Sequence, residues 1–404
     1  MSPVGSYESL AAAIRAGADS VYFGIEGLNM RSHSANNFTV NDLQRIAEIC
    51  RRHHIQSYLT VNTIIYDNDL TLMREIIETA KKAGVSAIIA SDLAALSFAR
   101  SIGVEVHLST QLNITNIEAL KFYAQFADVV VLARELNLEQ VAEIHRQIIE
   151  QEIKGPSGKL IRIEMFCHGA LCMAVSGKCY LSLHEQNASA NRGKCYQICR
   201  RAYTVKDRES DIELDIENQY IMSPKDLKTI HFLNRLLDAG VRVLKIEGRA
   251  RGPEYVKAST ECYKEAVQAY CENTFSEEKI TDWNQRLAQV FNRGFWDGYY
   301  LGQRLGEWNN KYGNQATETK IYVGKVLKYF SKLGVAEILV ESQSLSVGEK
   351  VLITGPTTGA QTFTAREIRV DLDPIETAEK GERFSMPTPL KVRPSDKLYV
   401  LKAT

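Results

Sequence analysis

The sequence predicts an α/β protein in which a (β/α) barrel carries a Cys-rich insertion and is followed by a small antiparallel β-barrel. Three observations support this fold class. Apolar runs alternate with amphipathic helical patterns from Ser20 to about Arg249, five of the eight cysteines fall between Glu164 and Arg201, and short strand patterns follow Thr319. The 404 residues suffice for a barrel-sized domain and a smaller one.

The candidate strands of the barrel are nearly continuous apolar runs, which is typical of strands buried on both faces of a parallel sheet. They are Ser20–Gly24, Gln56–Asn62, Ser86–Ser91, Val104–Ser109, Asp128–Arg134, Leu160–Cys167, Tyr220–Ser223 and Val241–Glu247. Met1–Val4 is a ninth candidate, the stub of a strand. Because a (β/α) barrel has eight strands, we expect that one candidate belongs to a hairpin or that the barrel begins before Met1.

Amphipathic helical patterns separate these strands. They cover Tyr7–Ala16, Val40–His53, Asp69–Ala83, Asn116–Gln125, Leu138–Glu150, Pro224–Ala239 and Pro253–Tyr270. Gly17, Gly84 and Gly240 each follow such a pattern directly, at the position where a left-handed residue ends many helices. The repeated units therefore predict a TIM-like (β/α) barrel over residues 1–300, closed or nearly closed.

Beyond the barrel the sequence changes character. Residues 301–319 are polar and are expected to form a linker. Residues 320–404 contain the short apolar runs IYVGKV, VAEILV, EKVLIT and DKLYVL, with Gly, Pro and Asp between them. This pattern predicts a small C-terminal antiparallel β-barrel.

Composition and charge indicate an ordinary globular protein, since 45% of the residues are apolar and 24% are charged. No apolar run is long enough to span a membrane, and the first residues show no secretory signal, so we expect a cytoplasmic protein. Stable disulfides are uncommon in that compartment. The formal net charge is zero, and any contact with nucleic acid therefore needs a local basic patch.

Polar residues follow several of the candidate strands. The set comprises Asn62, Ser91, Asp92, Ser109, Thr110, Gln111, Arg134, Glu135, His168, Ser223, Lys225, Asp226, Glu247 and Arg249. Each one alone is explained equally well by a helix cap or a loop hydrogen bond, but the active site of a (β/α) barrel gathers at this C-terminal rim. Arg134, Lys245 and Arg249 would bring positive charge there, which suits an anionic substrate.

Four cysteines of the Cys-rich segment, residues 164–206, form a candidate metal site. Cys172, Cys179, Cys195 and Cys199 have the spacing C-x6-C-x15-C-x3-C. Four thiolates can hold a zinc ion or an iron–sulfur cluster. Zinc sites favour closely spaced pairs, which the second pair matches and the first does not, so the spacing favours a cluster only modestly.

A nucleophilic role for Cys167 beside His168 is disfavoured by geometry. Neighbouring residues on a strand point to opposite sides, so this pair would not meet as nucleophile and base. The sequence also contains no H-E-x-x-H motif. The residues themselves therefore give little support to a peptidase.

The Cys-rich segment is also basic and aromatic. Arg192, Lys194, Arg200 and Arg201 are interleaved with Tyr196 and Tyr203. Cationic side chains bind phosphates and aromatic rings stack on bases, so this pattern is typical of a surface for a nucleic-acid strand. A solvated loop around a metal site has the same composition, and the residues alone leave both interpretations open.

Several motifs together resemble the collagenase-like peptidase family of unknown catalytic type. They include Glu164-x-Phe166, His168-Gly169-Ala170-Leu171-Cys172, Ser176-Gly177-x-Cys179, Asn191-Arg192-Gly193, Ser223-Pro224-Lys225-Asp226-Leu227 and Leu244-Lys245-Ile246-Glu247-Gly248-Arg249. The resemblance covers nearly the whole chain. It extends to oxygen-independent hydroxylation factors that act on tRNA wobble uridine, on ribosomal RNA or in ubiquinone synthesis.

This resemblance implies a function. In its length and its C-terminal β-barrel, the chain is most similar to the branch that makes 5-hydroxyuridine at the tRNA wobble position with prephenate as the hydroxyl source. Prephenate carries two carboxylates and would lie near Arg134, Lys245 and Arg249. The alternatives are a collagenase-like peptidase, a hydroxylation factor for ribosomal RNA and a non-catalytic RNA-binding protein.

The same resemblance implies a cofactor and a partner. A [4Fe–4S] cluster would be bound by Cys172, Cys179, Cys195 and Cys199. The anticodon arm of tRNA would contact the basic segment through Arg192, Lys194, Arg200 and Arg201, together with the C-terminal β-barrel.

Overall fold

The computed structural model describes residues 1–30, 32, 37–204, 222–311 and 313–404. Ten strands form the first sheet: β1 (Ser2–Pro3), β2 (Ser20–Phe23), β3 (Gln56–Val61), β4 (Ala87–Ala90), β5 (Val106–Leu108), β6 (Val129–Val131), β7 (Arg162–Ala170), β8 (Asp226–Lys228), β9 (Val241–Ile246) and β10 (Phe295–Trp296). Strands β1 to β7 and β9 run parallel, each beside the next in that order. The predicted parallel sheet is therefore confirmed.

The two ends of this parallel series lie close together. The amino group of Met1 donates to the carbonyl oxygen of Leu244 at 2.7 Å. The N–H of Ile246 donates to the carbonyl oxygen of Met1 at 3.1 Å. These two hydrogen bonds link the first residue to β9 without forming a strand ladder, so a closed barrel stays a prediction.

The surplus strand candidate is resolved in favour of the N-terminal stub, which forms β1. In the candidate Tyr220–Ser223, residues 220 and 221 lie outside the described part of the chain, and residues 222 and 223 are not in a strand. Strand β8 lies just beyond it and pairs antiparallel with residues 168–170 of β7. The first half of the helix predicted over Pro224–Ala239 is therefore wrong, because this stretch pairs with the end of β7.

Ten α-helices accompany the strands. They are α1 (Tyr7–Arg15), α2 (Asp42–Arg52), α3 (Leu70–Ala83), α4 (Leu93–Ser101), α5 (Ile117–Ala124), α6 (Leu138–Glu150), α7 (Leu181–Gln186), α8 (Leu233–Asp238), α9 (Pro253–Cys271) and α10 (Glu277–Gln289) in the described residues. Several begin at a side chain that accepts a hydrogen bond from the first turn, as at Ser6, Asn116 and Asn137. Helices α4, α7 and α10 were not predicted. No helix in the described ranges is long and apolar enough to cross a lipid bilayer.

The first hydrophobic core lies between the parallel sheet and the helices. Strands β2, β4, β5 and β6 are buried at every position. Each helix contributes the apolar side that its periodicity predicts, for example Leu43, Ile46 and Ala47 of α2. Burial on both faces explains why these strands read as continuous apolar runs.

A second sheet follows residues 301–317, which contain no helix or strand in the part described. Its strands are β11 (Glu318–Phe330), β12 (Val335–Val340), β14 (Lys350–Gly355), β15 (Gly359–Thr364), β16 (Ile368–Val370), β17 (Asp373–Ile375), β19 (Arg383–Pro387) and β20 (Lys397–Ala403), with β13 (Leu345–Ser346) and β18 (Thr377–Ala378) forming a separate pair. All pairings are antiparallel. The predicted C-terminal antiparallel sheet is confirmed, whereas its closure into a barrel stays a prediction.

The second sheet has its own core and packs against α1. Its core consists of residues such as Val323, Ile338 and Phe384. A small third cluster joins Ala12 of α1 to Leu352 and Ala360. The close approach depends on glycine, because a Cβ at Gly359 would lie 2.8 Å from the backbone nitrogen of Ala12.

We predict that Gly359→Ala destabilises the protein more than Gly334→Ala does. Both glycines have positive φ, +72° and +68°, so both variants carry the left-handed backbone cost of about 1–2 kcal/mol. Only Gly359→Ala also clashes with α1, which adds about 1–3 kcal/mol, since nothing lies within 4 Å of Gly334. Urea unfolding followed by circular dichroism measures both, and equal losses would contradict the packing described here.

Candidate active site

A cavity opens at the C-terminal ends of the parallel strands, at the rim predicted to carry the active site. Its volume is about 1160 Å³, measured out to its open mouth. The predicted rim residues that line it are Asn62, Ser109, Thr110, Gln111, Arg134 and Glu247. Side chains that follow different strands therefore converge on one space.

His168 belongs to the packing beside the cavity and does not line it. Its ring is surrounded by those of Tyr255, Tyr263 and Phe295, with centroids 5.5–5.8 Å away. Burial lowers the pKa of His168 to about 3, so the imidazole is neutral at physiological pH. The adjacent Cys167 is also fully buried, and its thiol lies 3.4 Å from the carbonyl oxygen of Lys245.

All four candidate ligand cysteines line this same cavity. Cys172 is exposed just beyond β7, whereas Cys179, Cys195 and Cys199 are half-buried in the loops that follow. Burial raises the pKa of Cys199 to about 11, and burial together with the neighbouring thiols raises the pKa of Cys179. The direction of both shifts agrees with thiols that are partly buried and share one cavity.

Glycine 193 shapes the loop that carries Cys195. It has φ of +85°, and a Cβ there would lie 2.6 Å from the carbonyl oxygen of Asn29. The loop that carries Cys195 can therefore pass close to Asn29, which follows β2, only with glycine at position 193. Gly193 lies two residues before Cys195, so the need for glycine falls on the loop that carries this cysteine.

The observation that bears on a metal group is that the four cysteines share one cavity. In the described part of the chain, no group of three or more His, Cys, Asp or Glu side chains is arranged to hold a metal ion. A zinc ion and an iron–sulfur cluster both accept four thiolate ligands. The donor set therefore fits either group, and the cluster itself stays a prediction.

Three guanidinium groups lie on the wall of the cavity. Arg134 donates from Nη2 to the hydroxyl of Ser176 at 2.8 Å, while its Nε is buried and makes no hydrogen bond. Arg200 donates to the Leu171 carbonyl oxygen at 2.7 Å, and burial lowers its pKa to about 10, with the nearby Arg293 acting in the same direction. Arg200 is therefore still positively charged at neutral pH.

Arg293 is the third of these groups and was missed by the sequence analysis. It lies just before β10, and its Nη1 is 3.6 Å from Asp226. Arg251 approaches the other oxygen of Asp226 at 3.5 Å. One buried carboxylate thus faces several guanidinium groups, which leaves an excess of positive charge beside the cavity.

Of the predicted substrate-binding residues, Arg134 and Lys245 line the cavity and Arg249 does not. Arg249 is buried and donates to Thr60 and Asn29 at 3.1 and 3.0 Å. Its guanidinium occupies the space beside Gly24, where a Cβ would lie 2.1 Å from Nη1. Arg249 therefore stabilises the packing of the rim, and Arg293 takes the wall position instead.

The predicted RNA-binding residues fall into two groups. Arg192 forms a 2.6 Å ion pair with Asp69 and stacks over Tyr66 at 3.9 Å, and Arg200 is committed to the cavity wall. Lys194 is exposed, and Arg201 is exposed beside Glu185. Of the four predicted residues, Lys194 and Arg201 are therefore the exposed cations, and RNA binding by them stays a prediction.

Comparison with known proteins finds a relative named collagenase and relatives named for the modification of tRNA or ribosomal RNA. The chain is 69% identical over 399 residues to a protein named collagenase from Porphyromonas gingivalis, covering 99% of this chain and 96% of that one. It is 30% identical over 364 residues to a tRNA hydroxylation protein of Bacillus subtilis, covering 88% and 83%. It is 32% identical over 369 residues to a 23S ribosomal RNA 5-hydroxycytidine synthase of Escherichia coli, covering 88% of this chain but 53% of that longer protein.

The family model also covers the candidate site and the first sheet from β2 to β10. The model described as Peptidase family U32 matches residues 5–310. This stretch includes the four cysteines and all three guanidinium groups of the cavity wall. The resemblance expected from the motifs is confirmed, and the chain belongs to peptidase family U32.

Proposed function

We propose that this protein hydroxylates tRNA wobble uridine to 5-hydroxyuridine, with prephenate as hydroxyl source and a [4Fe–4S] cluster. The observation that carries the proposal is that four thiols and several cationic side chains line one cavity. The relatives named for tRNA and ribosomal RNA hydroxylation support this reaction class. We place the reaction in the cytoplasm.

The charges of the cavity suit a ligand with two carboxylates. Four lining side chains are cationic, namely Arg134, Arg200, Lys245 and Arg293, and Glu247 is acidic. Guanidinium groups bind carboxylates through paired, charge-assisted hydrogen bonds. The unbonded Nε of Arg134 is a donor that a carboxylate would satisfy. We therefore assign the prephenate carboxylates to the arginine wall rather than to Arg249.

The cluster would be held by Cys172, Cys179, Cys195 and Cys199. When bound, it supplies redox or Lewis-acid chemistry that no side chain of this cavity provides. The half-buried position of three of these cysteines limits the access of water to such a group.

The RNA would enter from the mouth of the cavity. Tyr180 and Tyr196 are 72% and 53% exposed, and each directly follows a cysteine that lines the cavity, while the exposed Lys194 directly precedes Cys195. Exposed rings stack on splayed bases, and each such contact contributes about 1–3 kcal/mol. This arrangement suits a single-stranded anticodon loop better than a duplex.

Peptide hydrolysis is the second candidate function, because the relative with 69% identity is named collagenase. Among the described residues that line the cavity there is no histidine to activate a nucleophile. Hydrolysis of a collagen-like peptide by protein purified free of host proteases, abolished by Glu247→Gln or Lys245→Met, would favour this candidate over the first.

The proposal predicts a defect in tRNA. A strain that lacks the gene should lose 5-hydroxyuridine and its derivatives from total tRNA, as measured by mass spectrometry of nucleosides. The intact gene should restore them, and a Cys179→Ala copy should not. An unchanged tRNA profile with a loss in ribosomal RNA would instead assign the protein to the ribosomal RNA reaction, and no change in either would remove the proposal.

The ligand assignment predicts a loss of iron. Cys195→Ala should abolish the visible chromophore and lower the iron and sulfide content of protein purified without air, because one thiolate ligand is missing. Cys271→Ala is the control, since Cys271 is a free thiol exposed to solvent at the end of α9, outside the cavity lining. Undiminished iron in Cys195→Ala would exclude it as a ligand.

The arginine wall predicts a change in prephenate affinity. Arg134→Gln should raise the KM for prephenate by roughly ten- to hundredfold, because a charge-assisted hydrogen bond is worth about 1.5–3 kcal/mol. Arg286→Gln removes an arginine that pairs with Glu265 away from the cavity and should leave KM unchanged. Equal effects of both variants would show that the loss is one of general stability.

A further inference from the structure

The floor of the cavity contains a buried amine. Lys245 on β9 lines the cavity and is only 5% exposed. It lies among Tyr22 and Phe166, whose ring centroids are 5.0 and 5.5 Å from Nζ. The interior of a (β/α) barrel is normally filled by branched apolar side chains, so an amine in this layer needs an explanation.

Lys245 is paired with a carboxylate that is itself fully buried. Nζ lies 2.7 Å from Oε1 of Glu164 on β7. The second oxygen of Glu164 makes no hydrogen bond and faces Nδ1 of His107 at 4.0 Å. Nε2 of His107 lies 3.2 Å from Oε1 of Glu105, whose side chain is 47% exposed. A buried ion pair is rarely worth its desolvation for stability alone.

Of the pair, Lys245 opens onto the cavity that the arginine wall also lines. Arg134, Arg200 and Arg293 line the same cavity as Lys245. An amine at the floor and guanidinium groups on the wall match a small molecule that has both a carbonyl group and a carboxylate. Oxo acids are that chemical class.

We propose that Lys245 forms an imine with the carbonyl carbon of an oxo acid whose carboxylate is bound by the arginine wall. The inference shares the ligand cavity of the proposed function but does not depend on RNA. Prephenate is one candidate ligand because it carries a 2-oxo acid side chain. The nucleophile is the amine of Lys245, and Glu164 is its proton acceptor.

The step balances without any further reactant. Glu164 takes one proton from the Lys245 ammonium group, and the neutral amine adds to the carbonyl carbon, forming a C–N bond. The proton on nitrogen moves to the carbonyl oxygen, which becomes a hydroxyl. This hydroxyl leaves as water with the proton held by Glu164, and the product is a protonated imine on Lys245.

The test is reductive trapping on the full-length protein. The protein is incubated with pyruvate as the probe, reduced with sodium borohydride and mapped by mass spectrometry of its peptides. We expect close to one adduct per chain, on Lys245. Lys245→Arg retains a positive partner for Glu164 but has no primary amine, and it should lose the adduct while remaining folded by circular dichroism.

Lys228 provides a matched control within the same chain. It lies outside the cavity lining, with Nζ 4.8 Å from the centre of the Phe295 ring, and burial lowers its pKa. Its lowered pKa makes this amine easier to deprotonate than an ordinary lysine, so unspecific chemistry would label Lys228. Lys228→Arg should keep the adduct on Lys245.

Each outcome separates this inference from the proposed function. Label on Lys228, label spread over exposed lysines, or no label would overturn the imine, and the mapping of the unaltered protein decides this even if Lys245→Arg fails to fold. An adduct on Lys245 in a protein whose gene leaves RNA unchanged would retain the imine and remove the RNA reaction. RNA hydroxylation without an adduct on Lys245 would retain the RNA reaction and remove the imine.

Discussion

Strand β7 has to satisfy its backbone hydrogen bonds over nine residues, more than any of its parallel neighbours, and the candidate site depends on how it does so. Residues 162–164 pair with β6, residues 163–168 pair with β9, and the last three residues pair with β8. Side chains also satisfy some of its carbonyl groups, since Tyr300 donates to the Phe166 carbonyl oxygen and Tyr263 donates to that of Cys167. The end of the strand is therefore fixed beside β8, and Cys172 follows two residues later at the cavity.

The same strand carries Glu164, whose partner Lys245 lines the cavity. Glu164 holds Lys245, and the ring of Phe166 lies beside both Lys245 and Arg134. Cations in excess beside a cavity favour anionic ligands. Four deprotonated thiols and the carboxylates of a small substrate are two such ligands, so that the arginines would stabilise both. This shared role explains how one cavity could select a dianionic molecule and retain a thiolate-bound cofactor.

The parallel sheet was predictable because its strands are buried on both faces and therefore carry continuous apolar runs. The local pattern failed where tertiary pairing decides the structure: residues 226–228 read as part of a helix but form β8 because the end of β7 needs a partner. The four cysteines could be singled out because five of the eight cysteines fall in one short segment, and their role as ligands stays a prediction. Arg293 was missed because its segment, F-N-R-G-F-W-D-G-Y-Y, reads as an aromatic turn. Arg249 was misplaced because strand ends indicate the rim but not which way a long side chain turns.

The most direct test of this account is anomalous X-ray scattering at the iron edge, measured on crystals of protein purified without air. The account predicts one compact iron peak bounded by the sulfurs of Cys172, Cys179, Cys195 and Cys199, at the mouth of the cavity that Arg134 and Arg293 line. An iron peak elsewhere, a single zinc ion among these sulfurs, or disulfides between them would contradict it.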